Sequence, residues 1–511
     1  MMKKWQLIIL LIWIVILIFP VLFGYYNSNN EYQFAGLIFN PIDGFSYFAK
    51  MQQGFFGDWS FQLPYSPLEN SDIFIYSLYI FLGHLSRIFG LSIPFVFHFF
   101  RLFFSILLFF SLLSLLKDLF KQEDIYFKGA FISLLFGGGL GWIYFLSGDL
   151  PVDFWVAEAF VFLSSFSTPH FSLTILLMTL ALIILLKKKF GIWMATLIFL
   201  LSLLLVSISP FAAIIIGSLF GINIFFGKDF LKEKIIQLFV YGIPAIGIGV
   251  YQYATIRSDP VLNFWNSQNV TLTPSFINLL VTLLPFLLGS IVLLFSFRKK
   301  INIFEKPIIL LIFWILFSLI MAYVPFNLQR RFLVGIYIPL VIIYWYFLKE
   351  FVVSKQKTNK TSLIIFLISI IIPSNILIFA GSLNAIRNLD SMFYVKTSLI
   401  ESLDWANEEL KNKSVFLSNE DNGLLIPAFG NFQVVYGHPF ESINADEIKI
   451  KVNNFWTHNM SLEDSLNFIK NNNVDYILCV YDNSFKDCPS VTQTMKIIYD
   501  LNNIIIFQVS N

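Results

Sequence analysis

One acidic residue near the start of the chain has a spacing that suits acid–base chemistry. Asp43 follows Pro41 in the stretch NPIDGFSYFAK, and Pro at this place favours the first turn of a helix. Tyr47 and Lys50 follow Asp43 by four and seven residues, so the three side chains are predicted to share one helix face. Two interpretations stay open: Asp43 is an N-cap, which Asp favours, or it is a general base. Asp58, in the stretch GDW, is a weaker candidate that we interpret as a turn residue.

Two adjacent arginines, Arg330 and Arg331, lie in the stretch VPFNLQRRFLVG between two apolar segments. A cation deep in a bilayer costs on the order of 3 kcal/mol, so such a pair at its edge needs a partner. A phosphate is one candidate, because a guanidinium group binds it through two parallel hydrogen bonds. Lipid headgroups or a carboxylate such as Glu158 are the alternative. We interpret at least one of the two arginines as a phosphate clamp.

Further polar candidates lie in residues 147–174, where the chain carries Asp149, Asp153, Glu158 and His170. A single His at a helix end, such as His170, is more often a hydrogen-bonded packing residue than a catalyst. Arg101 lies inside an apolar segment, where an unpaired charge is costly. We therefore predict an ion pair for Arg101.

Several kinds of site are not indicated by the sequence. It has five His, no H-E-x-x-H or CxxC motif, no P-loop and no GxGxxG, so we predict no metal site and no cofactor. An Asp-based metal site across the outer loops is the alternative that stays open. The net charge of +2 and the lack of a basic patch argue against nucleic acid as a partner. The stretch GGGLG at 137–141 is predicted to serve close helix packing. Cys479 and Cys488 form a disulfide or stay free, and both alternatives remain open.

The elements that must position these residues are membrane helices. The chain of 511 residues is 57% hydrophobic and 13% charged, about half the charged fraction of a soluble domain, which is roughly 25%. A span needs roughly 20 apolar residues. The sequence predicts a polytopic α-helical membrane protein with about eleven spans, at 5–24, 94–116, 128–147, 169–186, 190–208, 210–227, 235–254, 275–297, 307–324, 332–348 and 362–381. Residues 73–90 are predicted to form an interfacial or re-entrant helix instead.

The distribution of basic residues predicts the orientation. Lys and Arg concentrate in every second loop, and the positive-inside rule places those loops and the N-terminus in the cytoplasm. The long first outer loop, 25–93, and the C-terminal residues are then extracytoplasmic. We predict a transmembrane domain at 1–381 and an extracytoplasmic domain at 382–511, in a multi-pass protein of the plasma membrane.

The C-terminal part is predicted to be an α/β domain. Strands are expected at 414–419, 432–437, 474–480 and 503–509, and helices at 397–411, 445–456 and 461–471. The stretch YGHPFE could contact a ligand or the membrane domain through His438 and Glu441. An ordinary loop followed by a helix is the interpretation we favour there.

The architecture and three motifs resemble the GT-C glycosyltransferases. The motifs are IDGFSYFAKMQQG, VPFNLQRRF and VVYGHPFE, and the relatives are protein O-mannosyltransferases, aminoarabinose transferases and uncharacterised bacterial membrane proteins. Many members carry a second acidic residue near the first. Asp43 has no acidic neighbour, which leaves the class of acceptor open.

The resemblance implies a reaction and roles for the candidate residues. A sugar would pass from a polyprenyl-phosphate-linked donor in the membrane lipids to a glycan, lipid or protein acceptor on the outer face. Asp43 would be the base, and Arg330, Arg331 and Lys50 would bind the donor phosphate. Tyr47, Glu158 and His170 would support them.

Two functions from other classes compete with this one. A transporter or flippase of lipid-linked glycans should show an internal repeat and broken helices near mid-membrane. A non-catalytic scaffold of the cell envelope is the other alternative. We find no internal repeat in the sequence, and replacement of Asp43 should impair only an enzyme.

Overall fold

The computed structural model describes residues 2–120, 123–187, 190–226, 230–297, 306–349, 360–481 and 488–509. The chain forms two compact units, each assembled from three separate stretches. The first unit consists of Met1–Pro20, His98–Val250 and Thr271–Asn384, and the second of Val21–Phe97, Tyr251–Val270 and Ala385–Asn511. The second unit therefore combines the predicted first outer loop with the predicted C-terminal domain.

Helices are the main element of the chain, and the strands of the described residues belong to the second unit. In chain order the α-helices are α1 Lys4–Tyr26, α2 Pro41–Phe56, α3 Ser77–Phe89, α4 Ile93–Phe120, α5 Ile125–Phe136, α6 Gly141–Tyr144, α7 Val152–Trp155, α8 Val161–Ser167, α9 Pro169–Leu186, α10 Ile192–Ile208, α11 Pro210–Asn223, α12 Leu231–Ser258, α13 Pro260–Gln268, α14 Phe276–Phe297, α15 Lys306–Met321, α16 Tyr337–Phe347, α17 Lys360–Ile371, α18 Pro373–Arg387, α19 Thr397–Glu409, α20 Glu420–Phe429, α21 Ala445–Trp456 and α22 Leu462–Asn471. The strands are β1 Tyr32–Phe34, β2 Tyr394–Lys396, β3 Val415–Leu417, β4 Gln433–Val434, β5 Tyr476–Val480, β6 Lys496–Leu501 and β7 Ile504–Gln508.

The apolar helices make this a multi-span membrane protein. Among the described residues, six helical segments have the length and composition of a span. They are Lys4–Tyr26, Ile93–Phe120, Pro169–Leu186, Leu231–Ser258, Gln329–Phe347, which includes α16, and Ile364–Arg387, which joins α17 and α18. A seventh candidate is the bent pair Ile125–Phe136 and Gly141–Ser147. Four shorter apolar helices coincide with the other predicted spans: Ile192–Ile208, Pro210–Asn223, Phe276–Val292 and Lys306–Met321. The multi-span architecture is confirmed, and the count of eleven stays a prediction.

Glycines of the stretch 137–141 allow close packing in the first unit and also end α5. A Cβ atom on Gly139 would lie 2.0 Å from the carbonyl oxygen of Thr282 in α14, which leaves room only for glycine. The backbone N–H of Gly139 donates to Asp153 Oδ2 at 2.8 Å. The predicted close packing is thus found at Gly139, while the stretch as a whole forms the break between α5 and α6.

Arg101 in α4 corrects a prediction, because no carboxylate within the described residues forms an ion pair with it. Its Nη1 donates to the carbonyl oxygens of Ser165 and Phe166 at 2.9 and 3.1 Å, and its Nη2 donates to that of Leu17 at 2.7 Å. The last carbonyl groups of a helix lack partners within it, and Ser165 and Phe166 lie in the last turn of α8. The guanidinium group therefore caps a helix C-terminus, where the helix dipole favours a cation.

In the second unit, α2 and α3 cross with their backbones in contact. A Cβ atom on Gly54 would lie 2.0 Å from the carbonyl oxygen of Ile80, and one on Gly83 would lie 2.0 Å from that of Met51. Because each helix carries a glycine opposite the backbone of the other, neither has a side chain to hold them apart. With 13 residues, α3 is about 20 Å long, too short for a hydrocarbon core of about 30 Å. Its length agrees with the predicted interfacial or re-entrant helix.

The C-terminal part of the second unit contains a five-stranded sheet of order β4-β3-β5-β7-β6. Strand β3 pairs in parallel with β4 and β5, whereas β7 is antiparallel to β5 and β6. Strands β3, β4, β5 and β7 and helices α19, α21 and α22 lie where the sequence predicts them. The predicted α/β character is confirmed, and β6 and α20 are elements that the sequence did not predict.

Cys479 in β5 and Cys488 form a disulfide with a Cα–Cα distance of 5.8 Å. This bond decides between the two alternatives that the sequence left open. Disulfides persist in oxidising compartments, which is the environment predicted for this part of the chain.

Replacement of Gly83 by Ala should destabilise the second unit. The new methyl group would meet the backbone of Met51, which cannot rotate away, so α2 and α3 must separate. We expect a cost of about 1–3 kcal/mol, seen as a lower Tm of the full chain in detergent. The control is Gly247→Ala in α12, where no atom lies within 4 Å and the better helix propensity of Ala should leave Tm equal or higher. Equal Tm values for both variants would contradict the described crossing.

Candidate active site

Asp43 is the third residue of α2, and 45% of its side chain is exposed. The N-cap of the helix is Asn40, so the interpretation of Asp43 as an N-cap is wrong. Asn40 adopts a left-handed backbone with φ 43°, and its Nδ2 donates to Asp43 Oδ2 at 2.5 Å. A carboxylate in the first turn is stabilised by the partial positive charge of the helix N-terminus. Asn40 thus holds one carboxylate oxygen of Asp43 in place, while almost half of the side chain stays accessible.

His438 approaches Asp43 from the C-terminal part of the same unit. Its Nε2 lies 3.5 Å from Asp43 Oδ1, and its ring is buried. Burial by itself would raise the pKa of Asp43, but the interaction with His438 and the hydrogen bond from Asn40 outweigh it, with a smaller contribution from Lys50. The pKa of Asp43 therefore lies below its ordinary value, and the carboxylate is ionised at neutral pH.

Lys50 lies two turns after Asp43 and is fully buried in an ion pair. Its Nζ is 2.8 and 3.1 Å from the two carboxylate oxygens of Glu441 and also donates to the hydroxyl of Ser46. That hydroxyl in turn donates to Glu441 Oε1 at 2.5 Å. Burial lowers the pKa of Lys50, and although burial would raise the pKa of Glu441, the charge of Lys50 lowers it. The described contacts of Lys50 are structural, and its binding of a donor phosphate stays a prediction.

Aromatic rings surround the ammonium group of Lys50. Nζ lies 4.2 Å from the ring centroid of Tyr76 and 5.5 Å from that of Tyr47. Tyr47 stacks on Tyr79 with ring centroids 4.5 Å apart. A cation over a ring face is attracted by the quadrupole of the ring, which offsets part of the cost of burying Lys50. The predicted supporting role of Tyr47 is therefore compatible with its place beside this pair.

The loop 437–442, which carries His438 and Glu441, follows the parallel strand β4. Side chains after the carboxyl end of a parallel strand often form binding sites. The Ser442 hydroxyl accepts hydrogen bonds from the backbone N–H groups of Gly437 and His438, both at 3.2 Å. A Cβ atom on Gly437 would lie 2.3 Å from the carbonyl oxygen of Gly423, so this loop rests directly on α20. These contacts fix the positions of the side chains of His438 and Glu441.

The first unit contains the second group of predicted residues. Arg330 Nε donates to Glu158 Oε1 at 3.2 Å, and its guanidinium group lies 4.8 Å from the ring centroid of Trp155. The carbonyl oxygen of Glu158 accepts from the N–H of Gly335, which has a left-handed φ of 67°. The ion pair that the sequence offered as an alternative for Glu158 is thus present, and it involves Arg330.

Arg331 differs from its neighbour. It is partly buried, and no acidic side chain in the described ranges forms an ion pair with it. His170 belongs to the same unit. Its Nδ1 lies 3.0 Å from Thr168 Oγ1, and its ring packs on Phe171. Of the two arginines, Arg331 therefore has the charge that is less neutralised within this unit.

Asp58 is placed as a surface residue of the second unit. Its carboxylate lies 3.0 Å from Lys413 Nζ, and its carbonyl oxygen lies 2.9 Å from His84 Nε2. In the part of the chain that the structure describes, no group of three His, Cys, Asp or Glu side chains could hold a metal ion. The catalytic role of Asp43 stays a prediction.

Solved structures of one archaeal enzyme share this fold. The oligosaccharyltransferase of Archaeoglobus fulgidus in its apo form has a TM-score of 0.57 and 13% identity, over 94% of this chain and 70% of that one. The same enzyme tethered to an acceptor peptide with an NVT sequon gives 0.56 and 13%, over 94% and 69%. The enzyme in complex with an inhibitory peptide and a dolichol-phosphate, named AglB, gives 0.54 and 12%, over 93% and 69%. The predicted resemblance to GT-C membrane glycosyltransferases is confirmed for the fold.

Comparisons of the amino-acid sequence identify no further relative of this chain. No protein-family model matches the chain. No curated protein matches it either.

Removal of Lys50 alone from the buried pair with Glu441 should lower the stability of the fold far more than removal of both charges. Lys50→Met leaves Glu441 buried without a counter-ion, which costs about 3–5 kcal/mol, whereas Lys50→Met with Glu441→Leu should recover most of that loss. The measurement is the Tm of the full chain in detergent. The matched control is Lys451→Met, since Lys451 and its partner Glu447 are 46% and 63% exposed and such pairs contribute little. Equal Tm values for the single and the double variant would contradict the coupling.

Proposed function

We propose that the protein is a glycosyltransferase that moves a sugar from a polyprenyl-phosphate-linked donor to an acceptor on the outer face of the membrane. One observation carries the proposal: the ionised, half-exposed carboxylate of Asp43 is fixed by Asn40 and His438 in a chain with the fold of an oligosaccharyltransferase. The related AglB structure holds a dolichol-phosphate, which is a lipid phosphate of the proposed donor class. The orientation with the N-terminus in the cytoplasm and eleven spans is part of the proposal and rests on the distribution of basic residues.

Asp43 would act on the acceptor as the glycosidic bond changes. The acceptor oxygen or nitrogen forms a bond to the anomeric carbon while the bond from that carbon to the phosphate oxygen breaks. The electron pair leaves with the lipid phosphate, and the acceptor proton passes to Asp43. Such reactions pass through an oxocarbenium-like state, which a nearby carboxylate stabilises. The acceptor becomes acidic only as its new bond forms, so a carboxylate with a lowered pKa can still take the proton.

The arginines would receive the charge that develops on the leaving phosphate. Arg331 is the better candidate for this role, since Arg330 already binds Glu158. Lys50 would contribute through its field at Asp43, and Glu158, His170 and Tyr47 would support the two groups in their own units. The acceptor peptide bound by the related enzyme makes a polypeptide the first acceptor to test.

A transporter of lipid-linked glycans is a second candidate, favoured by one observation. The bent pair Ile125–Phe136 and Gly141–Ser147 turns by 46°, and broken helices are typical of transporters. A transporter does not need a base, so its activity should survive replacement of Asp43.

Replacement of Asp43 by Asn should abolish sugar transfer. We expect a loss of at least about a hundredfold, because an amide cannot accept the acceptor proton. The assay uses purified protein in nanodiscs with a panel of synthetic polyprenyl-phosphate sugars, a peptide acceptor and a divalent cation in the buffer, and it measures transfer and donor hydrolysis. The control is Asp58→Asn, an acidic residue of the same loop whose partner is Lys413. Equal activity of wild type and Asp43→Asn would remove Asp43 from the site, and inactivity of wild type with every donor would favour the transporter or a scaffold.

Replacement of Arg331 should weaken binding of the donor, whereas replacement of Arg330 should lower the stability of the fold. Arg331→Ala should raise the KM for the donor by about tenfold or more, the loss expected for a charge-assisted hydrogen bond, with Tm unchanged. Arg330→Ala should lower Tm, because it leaves the buried Glu158 without its partner. Arg331→Lys should restore part of the donor binding, since it keeps the charge and loses the planar fork. An unchanged KM for Arg331→Ala would contradict the assignment.

A further inference from the structure

The two ring nitrogens of His438 have different partners, and this difference fixes where the proton lies. Nδ1 lies 3.1 Å from the backbone nitrogen of Phe440 and 3.2 Å from that of Glu441, and both N–H groups donate to it. A backbone N–H cannot accept a hydrogen bond, so Nδ1 must present its lone pair. The ring nitrogen that carries a hydrogen is therefore Nε2.

The hydrogen on Nε2 points to Asp43. Nε2 is buried, and within the described residues it has no hydrogen-bond partner at ordinary distance. Asp43 Oδ1 lies 3.5 Å from Nε2, which is just beyond the usual N–H···O distance of about 2.7–3.2 Å. Catalytic hydrogen bonds are often long in a site without substrate and shorten when it binds. The side chain of Asp43 is half exposed and can move this small distance, whereas His438 is held by its loop.

We infer that His438 is a positioning residue for Asp43: its Nε2–H donates to the carboxylate and holds it toward the acceptor. This inference rests on the proposed function and adds to it. His438 cannot serve as the base in place of Asp43, because Nε2 already carries a hydrogen and Nδ1 faces two N–H donors. The proton of the acceptor must therefore reside on Asp43 after transfer.

The surroundings of His438 hold its ring in place. Glu441, whose N–H donates to Nδ1, is itself anchored through its carboxylate to Lys50. The titratable groups that face the pair are Lys50, Glu441 and Tyr65, whose ring centroid lies 5.5 Å from that of His438. Burial raises the pKa of Tyr65 well above its usual value, so it stays neutral in the working range of pH. Among the contacts that lower the pKa of Asp43, the interaction with His438 is the largest, followed by the hydrogen bond from Asn40 and the charge of Lys50.

Two substitutions of His438 separate the role of Nε2 as a donor from the role of Nδ1 as an acceptor. The amide nitrogen of Gln lies close to the position of Nε2, so His438→Gln keeps a donor toward Asp43. The side chain of Asn is shorter and can only replace the acceptor at Nδ1, so His438→Asn loses that donor. His458→Asn in the C-terminal part is the control, because His458 is exposed.

The first readout is the pH at which Asp43 becomes protonated, measured as its modification by a water-soluble carbodiimide at a series of pH values and read by mass spectrometry. Loss of the donor removes an interaction that lowers the pKa of Asp43, so the midpoint should move to higher pH in His438→Asn. It should stay near the wild-type value in His438→Gln and His458→Asn. An unchanged midpoint in His438→Asn, or an equal shift in both His438 variants, would overturn the inference whether or not the protein transfers sugar.

The second readout is the pH profile of sugar transfer. The acid limb should follow the carbodiimide midpoint, and kcat should fall by about tenfold in His438→Asn with little change in the KM for the donor. Restoration of most activity in His438→Gln would distinguish positioning from a purely structural role. Lack of transfer by wild type would refute the proposed glycosyltransferase, while the carbodiimide midpoints would still decide the interaction between His438 and Asp43.

Discussion

The buried ion pair between Lys50 and Glu441 is the interaction on which the site in the second unit depends. Two apolar side chains of similar size would pack at least as well, because the desolvation of two charges often exceeds their attraction. An apolar pair, however, would not specify which atoms meet. The carboxylate of Glu441 is bound by Lys50 and Ser46 of α2, while its backbone N–H donates to His438. One pair thus fixes the loop 437–442 against the helix face that carries Asp43.

The sequence predicted one half of this arrangement and missed the other. The start of α2 at Pro41 and the common face of Asp43 and Lys50 follow from local rules of helix geometry. His438 and Glu441 lie almost 400 residues later in the chain, and no periodicity in a single sequence reports such a contact. Local rules favour an ordinary loop for the stretch YGHPFE. Its place after a parallel strand was the available signal, but β4 has only two residues and its pairing is visible only in the structure.

The elements that the sequence missed have physical reasons for their weak signals. Helix α20 contains Gly423 and Pro427, two residues that usually end helices, and β6 is a largely exposed edge strand without a continuous apolar run. The cost of a buried charge alone predicts a carboxylate beside Arg101, but the carbonyl groups at the end of a helix meet the same need. Those groups are strong acceptors that also need partners, so α8 and Arg101 satisfy each other. The two arginines at 330 and 331 could not be separated by sequence, since only the structure shows which of them reaches Glu158.

The state of Asp43 limits the chemistry that this site can support. A carboxylate that is kept ionised by hydrogen bonds is a weak base, so it cannot remove a proton from a neutral hydroxyl or amide before other bonds change. Its negative charge is most useful where positive charge develops nearby, as at the anomeric carbon of a sugar whose phosphate is leaving. In that reaction the acceptor loses its proton late, when its own bond to carbon has made it acidic, and a weak base suffices.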